Sequence, residues 1–125
     1  MNLVDSSGWL EFFADGDNAE FFTVPILNLL ELIVPTVCIY EVFKVTARER
    51  GEQIATNVVS LMEKGVVVPF DTVMAIEAAR ISAEHRMAMA VSIIYTIARS
   101  TDALLWTQDA DFEGLEGIRY ISTNA

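Results

Sequence analysis

Five short apolar runs are spaced along the chain: Leu3-Val4, Leu32-Val34, Val66-Val68, Leu104-Trp106 and Tyr120-Ile121. Longer segments with helical start and stop signals lie between them. Runs this short and almost wholly apolar suit strands that are covered by helices on both sides. The alternation predicts an α/β fold with a mainly parallel sheet.

The helical segments carry ordinary punctuation. SSGWLEFF opens the first helix directly after Asp5, and Pro25 is expected to open a short one before the second strand. Thr36 follows Pro35 and precedes VCIYEVFKVTARER, which reads as a capped helix with its stop at Gly51. Gly51 also opens EQIATNVVSLMEK, which closes at Gly65, and Asp71 caps TVMAIEAARISAEH. A last helix is expected from about Ala88 to Ser100.

No repeat, low-complexity stretch or linker interrupts the 125 residues, so residues 1–125 are expected to form one domain around one core. A hydrophobic content of 53% excludes a disordered chain. The longest apolar stretch, Val24 to Val34, is broken by Pro25, Asn28 and Glu31, well short of the roughly 20 residues that span a bilayer. No membrane association is expected. Asp5 interrupts any secretory-signal layout, and the single Cys38 cannot form an internal disulfide, so a reducing cytoplasm is the expected setting. Cys38 reads as a small buried residue. With 18 acidic against 8 basic residues, the net charge of -10 argues against broad attraction to nucleic acid or anionic lipid. It leaves room for a nucleic-acid enzyme with a local basic rim and a cation in its pocket.

The carboxylates are the informative residues. Ligands of open α/β sheets sit beyond the carboxyl ends of the strands, where the strand order reverses. Asp5 ends the first strand, and ALLWTQDADF puts Thr107, Asp109 and Asp111 just after the fourth. With a strand order of 3-2-1-4-5, Asp5 and Asp109 would face one crevice. Glu41, a little over one turn into the helix after the second strand, would look back into it. Gathered carboxylates raise each other's pKa values, and a hard divalent cation relieves that cost. Lys44 and Arg48 lie three and seven residues beyond Glu41 on its helix face, a placement that suits a metal-bound phosphate with its flanking backbone held by cations. His85 reads as a surface or capping residue.

Those residues carry a family resemblance over the whole chain. VDSSGWLEFF, IVPTVCIYEVFK, and MAVSIIYTIA followed by LLWTQDADF resemble a PIN-domain ribonuclease of the VapC toxin type. The resemblance implies a three-layer domain with a parallel sheet of order 3-2-1-4-5 and helices on both faces. It implies an acidic pocket binding Mg²⁺ or Mn²⁺. The family's first, second and final acids fall on Asp5, Glu41 and Asp109, with Asp111 nearby as a further ligand, and Ser6 and Thr107 match its small polar pocket residues. The family's third acid falls on Val91, which cannot ligate a metal and reads as a lost ligand position.

The implied activity is that of an endoribonuclease toxin from a toxin–antitoxin module, cutting RNA phosphodiesters by metal-activated water. With Val91 in place this chain is expected to be folded but nearly inactive. The resemblance also implies a cognate antitoxin and a homodimer, with the apolar segment Phe21 to Leu32 available to either interface. The alternative is a catalytically dead PIN domain acting as a binding or regulatory module. A phosphoryl-transfer receiver domain is disfavoured, because VVVPF rather than an aspartate ends the third strand and no lysine lies beyond Lys64. A dinucleotide-binding fold would need a glycine-rich loop after the first strand, and none is there.

Overall fold

Leu3, Val4, Leu32, Ile33 and Val34 are all buried, which places the first two apolar runs at the covered centre of a sheet. The computed structural model describes residues 1–123. In it, strands β1 (Asn2–Val4), β2 (Leu32–Pro35), β3 (Val66–Val68), β4 (Leu104–Thr107) and β5 (Ile118–Tyr120) form one sheet. The order is β3-β2-β1-β4-β5, and every neighbouring pair is parallel.

Six helices connect them: α1 (Ser6–Phe13), α2 (Ala19–Ile26), α3 (Thr36–Arg50), α4 (Glu52–Met62), α5 (Thr72–His85) and α6 (Met89–Ser100). Parallel crossovers are right-handed. The chain therefore lays α1 to α4 on one face while it builds β1, β2 and β3 in one direction. Crossing back from β3 to β4 carries α5 and α6 to the other face. α1 packs on α2 and α3, α3 on α4, and α5 on α6.

Several boundaries differ from the sequence expectation, each for a local reason. Pro25 does not open a helix; it sits in the last turn of α2. The turns ahead of it are held by packing: Phe22 is fully buried, and Phe21 meets both Phe22 and Trp106 at centroid distances of 5.0 Å. The proline lacks the N–H that would bond the Phe21 carbonyl, so that packing carries the last turn with one helical bond fewer. Thr36 is the first residue of α3 rather than its cap; Pro35 holds the cap position, and no side chain bonds the free N–H groups there. Gly51 adopts φ 93°, a left-handed value that lets α3 stop and α4 start without a loop. Asp71 caps α5 as expected, accepting from the Met74 N–H at 2.9 Å. α4 ends at Met62, short of Gly65.

The last strand is Ile118–Tyr120 rather than Tyr120–Ile121. Its register pairs Leu105 with Ile118, Trp106 with Arg119 and Thr107 with Tyr120. Arg119 stands exposed in mid-strand over the Trp106 ring, 5.2 Å from its centroid. An edge strand tolerates such a charge, so a search for consecutive apolar residues starts too late.

Candidate functional site

Asp5 follows β1 and precedes α1, at the point between β1 and β4 where the strand order reverses. It is the N-cap of α1: Oδ1 accepts from the Gly8 N–H at 3.0 Å and from Ser7 Oγ at 2.8 Å. Oδ2 accepts from Thr107 Oγ1 at 2.6 Å and from Ser7 Oγ at 3.0 Å. A residue that only capped a helix would have no need of a hydroxyl from β4. Asp5 is 2% exposed, and its pKa is pushed up to about 6. Burial is the main cause; the hydrogen bonds from Thr107, Gly8 and Ser7 hold it down in part, and the charge of Asp109 adds to the rise.

Thr107 ties the two strand ends together. Its hydroxyl donates to Asp5 and accepts from the Asp109 N–H at 2.9 Å. Asp109 in turn caps a short 3-10 turn, Ala110–Phe112, with Oδ1 accepting from the Asp111 N–H at 2.9 Å. Asp111 itself is exposed. The neighbouring carboxylate comes from α3: Ser6 Oγ donates to Glu41 Oε1 at 2.6 Å. Cys38, one turn earlier on α3, is fully buried and feels the charges of both Asp5 and Glu41. Burial pushes its thiol far above the ordinary range, so it is inert packing rather than a nucleophile.

The remaining sequence candidates lie as follows. Val91 is in the first turn of α6, 7% exposed and part of the hydrophobic core. Lys44 is exposed, with Nζ 5.8 Å from the ring centroid of Tyr40. Arg48 is exposed and pairs with Glu49 at 3.5 Å. His85 lies at the end of α5, its Nε2 4.0 Å from Glu84.

A hard cation fits this site in part. None of the ion pairs among the described residues involves Asp5, Glu41 or Asp109. The carboxyl charge at the switch point is thus offset by hydroxyl and amide donors, not by a basic side chain. Among the described residues, however, no group of three or more His, Cys, Asp and Glu side chains gathers closely enough to hold a metal ion. Asp5 and Asp109 couple through Thr107, Glu41 is drawn to Ser6, and Val91 packs in the core of α6.

Ser7, Gly8 and Cys38 belong to the site without having been marked as its residues by the sequence. The serine pair after Asp5 was the available signal: Ser6 reaches α3 and Ser7 turns back to Asp5. Gln108 joins the rim, where its side chain accepts from Asn18 Nδ2 at 3.0 Å.

A doubly wound parallel sheet with strand-end carboxylates tied together across its switch point defines the class: an α/β domain with an acidic site. The chain belongs to the PIN domain family, whose profile matches residues 3–118. No curated protein sequence matches it significantly. Among solved structures the fold is similar to a toxin–antitoxin complex from Klebsiella pneumoniae, with TM-score 0.80 and 16% identity over 95% of this chain and 96% of that one. It is similar to a DNA-bound VapBC from Salmonella typhimurium, with TM-score 0.73 and 20% identity over 98% of each chain. A sarcin-ricin-loop-cleaving VapC toxin of Mycobacterium tuberculosis aligns with TM-score 0.77 and 13% identity over 95% of this chain and 99% of that one.

Proposed function

We propose that this chain is the scaffold of a Mg²⁺- or Mn²⁺-dependent endoribonuclease toxin, silenced as it stands by Val91. The observation that carries the reading is Asp5, a buried carboxylate raised to about 6 beside Asp109 with no basic partner. Natural sites hold unbalanced carboxylates mostly where function requires them. Support comes from the PIN membership and from similar structures whose names describe toxins and an RNA-cleaving activity.

Asp5 and Asp109 would hold the cation, with Glu41 and Asp111 as further oxygen donors and an acid at position 91 completing the set. The bound ion supplies Lewis acidity and a water of lowered pKa at the phosphodiester. The chain's own residues orient the rest. Thr107 fixes the Asp5 carboxylate, Ser6 fixes Glu41, and the Asp111 N–H fixes Asp109. Lys44 and Arg48, both exposed on α3, would hold the RNA backbone that flanks the reacting phosphate.

The partners follow from the same reading: an antitoxin, an RNA substrate and a second copy of the chain, in a cytoplasmic setting. Val24, Leu27 and Leu30 are 66%, 71% and 90% exposed, which suits a protein partner along the Phe21 to Leu32 segment. No helix among the described residues is long and apolar enough to cross a membrane.

The test is Val91→Asp. Loss of a well-placed electrostatic group costs about 10²–10³ in rate. The variant is therefore expected to cleave total cellular RNA at least a hundredfold faster than the chain as it stands, in Mg²⁺ or Mn²⁺, and to lose that activity in EDTA. A folded variant that leaves the RNA intact would sink the proposal. The burial of Val91 in the core favours a second reading, a non-catalytic PIN module that only binds partners. Cleavage by Val91→Asp would exclude it for the acid-bearing form.

A further inference from the structure

The turn that joins α5 to α6 borders the candidate site, and none of the residues assigned to catalysis above explains its chemistry. A cavity of about 420 Å³ opens there, lined by His85, Arg86, Met87, Ala88, Val91, Asp111 and Leu115. The cavity is joined to the carboxylates by a short chain of bonds: the Asp111 N–H donates to Asp109, and the Asp109 N–H donates to Thr107.

Three features give this cavity a cationic lip. Arg86 forms none of the ion pairs found among the described residues, although the chain carries 18 acidic side chains. Its backbone is left-handed, with φ 54°, a conformation unusual for an arginine. The turn is held in that shape by Ser82, whose hydroxyl donates to the Met87 carbonyl at 2.8 Å while its own carbonyl accepts from the Met87 N–H at 3.2 Å. His85 adds a second nitrogen-bearing side chain on the same lining. α6 then starts from Ala88 with no side chain capping its free N–H groups.

We propose that His85 and Arg86 form a phosphate-gripping subsite for single-stranded RNA, at the cavity that ends on Val91. The proposal rests on the nuclease reading for its ligand, and adds where the strand beside the reacting phosphate is held. The lining is basic at Arg86 and acidic at Asp111. A phosphate held at Arg86 sets the next stretch of the strand toward the carboxylates, whose repulsion of the backbone a bound cation would relieve.

The experiment uses the chain as it stands, in EDTA, so that binding is read without cleavage. Fluorescence anisotropy with a labelled 12-nucleotide single-stranded RNA is measured across salt concentrations for the parent, Arg86→Gln, Arg86→Lys, His85→Gln and Arg80→Gln. Arg80 lies on α5 away from the cavity and pairs with Glu77. Arg86→Gln is expected to bind about five- to tenfold more weakly, with a salt slope shallower by about 0.7 for one lost phosphate contact. His85→Gln is expected to bind more weakly than the parent by a smaller factor. Arg86→Lys should recover most of the affinity, and Arg80→Gln should match the parent. The proposal is overturned if the parent binds no RNA, if Arg86→Gln or His85→Gln binds as the parent does, if Arg86→Lys does not recover affinity, or if Arg80→Gln weakens binding equally. A silent Val91→Asp together with weakened Arg86→Gln binding would remove the nuclease reading and leave the subsite.

Discussion

With a folded pKa pushed up to about 6 from an ordinary 3.8, Asp5 holds its proton more tightly in the native state than in the unfolded chain. Between those values the native state binds more protons, so the sign of the linkage is fixed. Stability falls as pH rises through the window and stays reduced above it. The separation of roughly two units corresponds to about 3 kcal/mol, an upper figure for a group this deeply buried. Asn at position 5 keeps the capping oxygen for Gly8 and removes the charge. Asp5→Asn is therefore expected to melt several degrees higher than the parent at pH 8, with the gain shrinking toward pH 4. Thermal melts of both proteins across that range measure it. A variant that melts lower than the parent at pH 8 would show that the site tolerates the charge better than its burial implies.

At the scale of elements, Gly8 decides how closely α1 lies on its neighbours. A Cβ placed there would meet Phe22 Cε1 and Val4 Cγ1 at 2.6 Å, inside any real contact. Gly8→Ala gains up to about 1 kcal/mol of helix propensity. It loses about 1–3 kcal/mol to overpacking of a ring and a strand residue that are both fully buried. A net fall in thermal midpoint is expected, and because the Gly8 N–H holds Asp5, the titration of Asp5 should move with it. An unchanged midpoint would mean that α1 can shift freely. This contact was not legible in the sequence, where Gly8 is one more residue of a helical segment. β1, β2 and β4 were legible because burial leaves nearly pure apolar runs, β3 was legible as three valines although Val66 and Val67 stand exposed at the sheet edge, and Asp71 was legible because a cap bonds locally. Pro25 and β5 were misread where distant packing outweighs local signals: Phe21 on Trp106 carries α2 past the point where a proline should start it, and Arg119 hides a strand at the sheet edge.

Across the whole molecule, the site is a product of topology. The aspartates could be found in the sequence because each ends a strand, and strand ends are readable. Thr107 was legible as a pocket residue through the family resemblance, but the pair of hydrogen bonds by which it couples Asp5 to Asp109 was not, because those depend on the register of β1 on β4. Val91 shows the same limit from the other side. By itself it is a sound core residue, buried with Ile93 and Ile94 on α6, and only the family resemblance makes a carboxylate conceivable there. An aspartate at that position adds negative charge to a chain already at -10, on a lining it shares with Asp111. Metal-free Val91→Asp is accordingly expected to melt below the parent. Millimolar Mn²⁺ should reverse the order: a ligand at 100 times its dissociation constant stabilises by about 2.7 kcal/mol, on the order of 10 °C for a chain of this size. The parent, whose carboxylates do not gather three together among the described residues, should shift far less. Differential scanning calorimetry of both proteins with and without Mn²⁺ reads both effects. Equal shifts in the two proteins would mean that position 91 is no part of a cation site, and the incomplete centre would have to be sought elsewhere among the carboxylates.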